Sequence, residues 1–309
     1  MEISPLLDIQ NLADKPKELS ILCKKLFASG KSIRSRLIRL ICKHLDLKEE
    51  ETSVLCRIVE YVHNSSILHD DLIDHSSVRR RQIAAWVEFS PAQAVLAGDY
   101  LLAQVSIYLA EKGNLPLIRL TAESIVSLVK GEFLQREAIR KQAENLKNTN
   151  EINNFKTASL FKWSFKAPFL WINMKDPQFF TLLEKIGYNC GILFQRSDDL
   201  LDFSVRNKEK KSVLLDLRQN YLNSFSCFLV SGKSKSFKTK FRKAETLKDI
   251  YHLVPDFKNK LAEFDKLNQK LIKETEREME KLKPFLKKSE TALIEDIKSV
   301  PSLLYWRKP

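Results

Sequence analysis

Two stretches of this 309-residue chain carry aspartates at a spacing that suits a divalent cation: Asp70, Asp71, Leu72, Ile73, Asp74 and Asp198, Asp199, Leu200, Leu201, Asp202. Both have the form DDxxD, and each follows an apolar run of helical period. In a helix, residues four apart stand one above the other, so Asp70 and Asp74 share a face, as do Asp198 and Asp202. Carboxylates crowded on one face repel each other unless a cation neutralises them. Magnesium fits, because it takes hard oxygen ligands, keeps several waters, and uses one or two carboxylates together with substrate phosphates. A solvated acidic patch is the alternative for either triplet alone; recurrence of the same five-residue form favours metal.

Basic residues are interleaved with these acids. Lys31 and Arg34 open a helical run, Arg79, Arg80 and Arg81 follow the first triplet, Lys156 and Thr157 precede an apolar stretch, and Lys211 follows the second triplet. Each cluster by itself reads as an exposed helix face. In this order they are what two diphosphates require, one held through metal and one gripped directly by Lys and Arg.

The elements that must position these groups read as helices. Val54, Leu55, Ile58, Val59 and Val62, and later Leu117, Ile118, Ile125, Val126 and Val129, follow the helical period, and strand-like alternation is sustained nowhere. Only seven glycines supply the tight turns that hairpin-rich proteins need. The fold class expected is therefore all-α. Breaks are expected near Gly113 to Pro116, across the asparagine-rich stretch from Glu144 to Asn154, near Lys175 to Pro177, and across Val205 to Lys211. The charged, leucine-spaced stretch from Leu261 to Leu282 predicts a long amphipathic helix.

Composition narrows the class further. The five cysteines are widely spaced, with no CxxC pair and no zinc-ligand grouping, which fits a reducing cytoplasm. The N-terminus resembles neither a secretory signal nor an Arg-rich transit peptide, and no apolar stretch is long enough to span a membrane, so a soluble cytoplasmic protein is expected. The formal charge of +13 is concentrated after Phe203, with 25 Lys/Arg against 14 Asp/Glu. Its densest part is Lys233 to Lys243, which contains six Lys/Arg and no acid. A solvated loop is one reading of it, and attraction to an anionic membrane surface another. No nucleic-acid partner is expected.

The ordered motifs resemble the trans-type polyprenyl diphosphate synthases, the long-chain, octaprenyl-type members in particular. The resemblance rests on GKSIR (30 to 34), EYVHNSSILHDDLID (60 to 74), the arginines at 79 and 80, AGDYLLA (97 to 103), GEFLQ (131 to 135), KTASLF (156 to 161) and FQRSDDLLD (194 to 202). Lys211 and the DL at 216 and 217 follow, with a weaker match in the tail at Leu282 to Phe285 and Tyr305 to Lys308. It implies a single synthase domain over 1–309, an isoprenoid-synthase helical bundle around a deep central cavity. The motif-bearing core would occupy about 30–217, and the more divergent, basic helices 218–309.

The resemblance also implies an activity: Mg2+-dependent, head-to-tail condensation of isopentenyl diphosphate with an allylic diphosphate by a homodimer. Asp70, Asp74 and Asp198 would be the principal magnesium ligands, supported by Asp71, Asp199 and Asp202. Arg79, Lys156, Gln195 and Lys211 would grip the allylic diphosphate, and Lys31, Arg34, His63 and Arg80 the isopentenyl diphosphate. Thr157, with Lys156, would turn dipoles toward the developing carbocation. Ser65 and Ser66 lie one turn before Asp70, about 6 to 7.5 Å down the helix. Short-chain members often carry an aromatic there, so two small side chains imply a long product.

The chain departs from the family pattern at Arg81, where Gly is usual, and at Ser35, where Pro is common. It departs again across Asn220 to Phe225, where a glycine-rich segment normally carries a phosphate-facing lysine at the place of Tyr221. These departures leave open a second reading, a non-catalytic or partner-dependent subunit of a heteromeric synthase, and the basic run at 233–243 a third, a helical module that binds membranes or nucleic acid.

Overall fold

A computed structural model describes residues 16–28, 32–79, 82–204 and 214–305. The chain packs as two compact units, one formed by 1–125 with 163–176 and the other by 126–162 with 177–309. The all-α expectation holds: among the described residues the only strands are β1 (Val78–Arg79) and β2 (Gln82–Ile83), a short antiparallel pair.

The first unit is organised by α1 (Lys17–Ala28), α2 (Ile33–His44), α3 (Glu49–Ile73), α4 (Ala85–Glu88) and α5 (Pro91–Lys112). Helix α3 starts with Glu49, Glu50 and Glu51, which suit the positive pole of the helix dipole. Its apolar stripe, Leu55, Ile58 and Val59, is fully buried against α2 (Ile38, Ile41) and α5 (Ala97, Leu101, Val105). Gly98 makes the approach of α5 possible, since a Cβ there would lie 2.3 Å from His69 Nε2. Ser90 caps α5 by accepting from Gln93 N at 3.1 Å, and Gly113 ends it in the left-handed region, where a break was expected.

Helix α6 (Leu115–Lys141) contributes its first turns to this unit and the remainder to the second. Helix α7 (Leu146–Lys156) occupies most of the stretch expected to be a break. The asparagines that give that stretch its polarity serve the helix: Asn145 caps it by accepting from Asn148 N at 3.0 Å, while Thr149 and Ile152 turn inward. The break shrinks to residues 142–145. After α8 (Ala158–Trp171), α9 (Pro177–Leu201) runs for 25 residues, again with the predicted break before it.

The rest of the second unit comprises α10 (Leu215–Arg218), α11 (Ser224–Leu229), α12 (Lys235–Arg242), α13 (Leu247–Leu253), α14 (Phe257–Glu280), α15 (Ala292–Lys298) and α16 (Val300–Leu304). Its core gathers Leu193, Leu200, Phe225, Phe241, Ile250, Phe264 and Ile272. Helix α14 is the amphipathic helix read from Leu261 to Leu282.

The basic run at 233–243 is mostly helix rather than loop. Ser234 caps α12, Phe241 is buried, and Arg242 turns inward to form a two-pronged ion pair with Glu144, Nη2 to Oε2 at 2.7 Å and Nη1 to Oε1 at 3.1 Å. Arg242 is therefore a structural cation, and Lys233, Lys235, Lys240 and Lys243 remain exposed. No helix among the described residues is long and apolar enough to cross a membrane.

Candidate active site

Both aspartate triplets lie at the C-terminal end of a 25-residue helix. Asp70 and Asp71 are in the last turn of α3 and Asp74 is its C-cap, donating its N–H to Asp70 O at 2.8 Å. Asp198 and Asp199 are in the last turn of α9, and Asp202 follows its last residue. Helix C-termini carry the negative pole of the backbone dipole, where anionic side chains are unfavourable. Carboxylates gathered at two such poles form a donor set that a bound cation would neutralise.

In the first unit, Asp70 and Asp74 are half-buried. Asp71 is buried, and Arg79 on β1 points Nη1 at its Oδ1 from 3.5 Å. Both line a cleft with Asn64, Ile67 and Leu68. Arg34 is nearly buried at the start of α2. Ser35, which stands where proline is common, donates its hydroxyl to Glu60 Oε1 at 2.7 Å and so satisfies a buried carboxylate. His63 is half-buried about two helical turns before Asp70, and its carbonyl accepts from Ser66 Oγ at 2.8 Å. Ser65 is 1% exposed. Lys31, Arg80 and Arg81 lie outside the described residues.

In the second unit, Lys156 ends α7 and Thr157 is its C-cap. Lys156 Nζ is ion-paired to Glu132 Oε2. Thr157 Oγ1 donates to Gln195 Oε1 at 2.7 Å, and Gln195 Nε2 donates to Asp199 Oδ1 at 2.8 Å. The chain is short because α8 and α9 nearly touch at Gly191, where a Cβ would lie 2.3 Å from Ala158 Cα. Lys211 lies outside the described residues.

Asp199 is held from several sides. It is buried, and besides Gln195 it accepts from Ser224 N at 2.9 Å and from Ser224 Oγ. Burial, reinforced by nearby Asp216, pushes its carboxyl up to about 7 against the opposing hydrogen bonds from Ser224 and Gln195. Asp202 is also pushed up, by burial and then by Asp216, whose backbone N–H it accepts at 2.9 Å. Asn223 Nδ2 donates to Asp216 Oδ2 at 2.8 Å, and Asn223 Oδ1 caps α11. The segment that departs from the family pattern thus braces the second triplet from within. Tyr221, at the expected place of a lysine, is buried. Sequence reading missed Ser224, Asn223 and Gly191, and the only available signal was the pair of N-cap residue types ahead of an apolar run.

Among the described residues no three His, Cys, Asp or Glu side chains converge into a ready-made metal cage. The carboxylate oxygens of Asp70, Asp74 and Asp198 suit a hard ion that takes one or two carboxylates and completes its sphere with water and phosphate oxygens.

A profile of the polyprenyl synthetase family matches residues 16–255. This chain belongs to the polyprenyl synthetase family. Within that family it is 34% identical over 222 residues to a prenyl transferase of Cyanophora paradoxa, covering 70% of this chain and 68% of that one. It is 38% identical over 162 residues to a probable mitochondrial hexaprenyl pyrophosphate synthase of Neurospora crassa, 50% of this chain but only 36% of that protein. The fold is that of the polyprenyl synthase from Caulobacter crescentus complexed with calcium and isoprenyl diphosphate, with a TM-score of 0.80 at 22% identity. That alignment covers 97% of this chain and 93% of that one.

Proposed function

We propose that this chain is a magnesium-dependent prenyltransferase that joins isopentenyl diphosphate head-to-tail to an allylic diphosphate, giving a long-chain trans-polyprenyl diphosphate. The observation that carries the reading is the placement of both DDxxD triplets at the negative ends of long helices, an arrangement that needs cations. Family membership and the calcium and isoprenyl diphosphate named for the Caulobacter crescentus neighbour agree with it.

Asp70, Asp74 and Asp198 are assigned to hold Mg2+, with Asp71 and Asp202 in support and Asp199 bracing α9 from inside. When bound, the metal draws charge onto the departing diphosphate. Arg79, Lys156, Gln195 and Lys211 hold the allylic diphosphate; Lys31, Arg34, His63 and Arg80 hold isopentenyl diphosphate. Preorganised cations at the leaving group favour heterolysis of the allylic C–O bond, and the isopentenyl double bond then attacks the allylic carbon. Dipoles around Lys156 and Thr157 face the developing positive charge, and a proton is lost to the released pyrophosphate. Ser65 and Ser66 leave room for a growing chain beside α3. We assign the enzyme to the cytoplasm as a homodimer, with Lys233, Lys235, Lys240 and Lys243 as a peripheral contact to anionic membrane.

Incubating the purified chain with Mg2+, isopentenyl diphosphate and farnesyl diphosphate, followed by chromatography of the radiolabelled product, tests the proposal. A ladder of long prenyl products is expected; no product from the chain alone would refute it. The buried Tyr221 favours a second reading, a subunit that needs a catalytic partner, and activity restored only by a second polypeptide would establish that instead.

A further inference from the structure

Arg196 interrupts the apolar run before the second triplet, and its surroundings are unusual for a charged group. It is 5% exposed, yet among the described residues no carboxylate lies within ion-pairing distance of it. Its hydrogen bonds go to two neutral amides, Nη1 to Asn268 Oδ1 at 2.9 Å and Nη2 to Asn150 Oδ1 at 3.1 Å, and its Nε is buried without an acceptor. Phe264 lies under the guanidinium at 5.7 Å. Buried charges are ordinarily paired, because neutral hydrogen bonds recover only part of the lost hydration.

Asn150 also belongs to the wall of an open cleft between α7 and α9, with Lys147, Asn154 and Tyr188. The orientation of the two amides is decided by cations behind them. Arg196 occupies the oxygen of Asn150, and Lys162 Nζ occupies the oxygen of Asn154 at 2.9 Å. The NH2 groups of both asparagines make no hydrogen bond to the described residues and remain as donors beside the cleft. Lys147 and the Tyr188 hydroxyl add two further donors. Glu184 neutralises Lys162 at 3.0 Å and Glu151 stands exposed on the wall, whereas Arg196 has no carboxylate in direct contact and feels only Asp199 from further off.

We propose that this cleft is a binding site for a phosphate-type oxyanion, held by Lys147, Asn150, Asn154 and Tyr188, with Arg196 behind Asn150 supplying the compensating positive charge. The inference is separate from the prenyl-transfer reading, and it requires no divalent cation.

The test uses inorganic phosphate and the full-length chain in excess EDTA, with ionic strength held constant by sodium chloride. Thermal unfolding and calorimetric titration of the wild type should both give a saturable phosphate response. Asn150→Asp places a carboxylate beside Arg196 within the existing hydrogen-bond geometry. It should raise the melting temperature without phosphate and weaken phosphate binding at least tenfold. Asn154→Ala, on the cleft wall and away from the core, should weaken binding without that gain. Absence of a saturable response in the wild type would overturn the proposal, as would an undiminished response in both variants. Neither outcome depends on prenyl-transfer activity, so failure here and failure of that reading are distinguishable.

Discussion

Replacing Asp70 and Asp74 together by asparagine removes two negative charges from the last turn and cap of α3 while nearly preserving side-chain shape. An anion at a helix C-terminus costs about 0.3–1 kcal/mol, and a like-charge pair one turn apart adds a few tenths. Without metal the double variant should therefore be more stable than the wild type by about 1–2 kcal/mol, or about 3–6 °C in midpoint for a chain of this size. The gain should shrink as salt screens the half-exposed carboxylates. With Mg2+ and a diphosphate the order should reverse, because ligand binding stabilises the wild type alone. Prenyl transfer should fall at least a hundredfold. Calorimetric melts with and without Mg2+, paired with radiolabelled product assays, measure all of this. A double variant that melts below the wild type in EDTA, or retains full activity, would refute the reasoning.

Ser65→Phe should shorten the product if the growing chain passes beside α3; an unchanged product distribution by chromatography would reject that path. Ser224→Ala leaves the buried Asp199 with fewer donors and should destabilise the chain by about 1–3 kcal/mol in chemical denaturation. Arg242→Met strands the fully buried Glu144 carboxylate and should cost about 3–5 kcal/mol, whereas Lys240→Met, on the exposed side of α12, should be nearly neutral. All five cysteines are buried, and burial pushes Cys42, Cys56 and Cys227 up to about 12. At pH 8 a thiol reagent should react only after unfolding. Because the folded chain keeps these protons longer than the unfolded one, stability should fall as pH rises from about 9 toward 12, as a denaturant midpoint series would record.

The placement of the two aspartate triplets on helices and the helical class were legible because both depend on spacing along one helix. Asp70 and Asp74 stack whatever else the chain does, and Leu55, Ile58 and Val59 mark their stripe in any context. The stretch from Glu144 to Asn154 misled because asparagine content signals a turn, whereas Asn145 caps a helix whose inward residues, Thr149 and Ile152, are too few to show a period. Arg242 looked like one more cation in a charge run because its partner, Glu144, lies 98 residues away. Asp199 could not be told from Asp198 by type: only the return of Ser224 from 25 residues downstream turns one of them inward. Contacts of that separation are set by packing, which spacing alone does not encode.

The near-contact of Gly191 with Ala158 reaches beyond local packing. Any side chain at 191 would have to wedge the two backbones apart, lengthening the reach from the Thr157 hydroxyl to Gln195 just one turn further along. A methyl group there would act as a spacer of atomic thickness, loosening the thread of donors that runs on to Asp199. Libraries that test whether residues near Ser65 set product length should therefore leave this crossing untouched, because the tolerance there is smaller than the smallest substituent evolution has to offer.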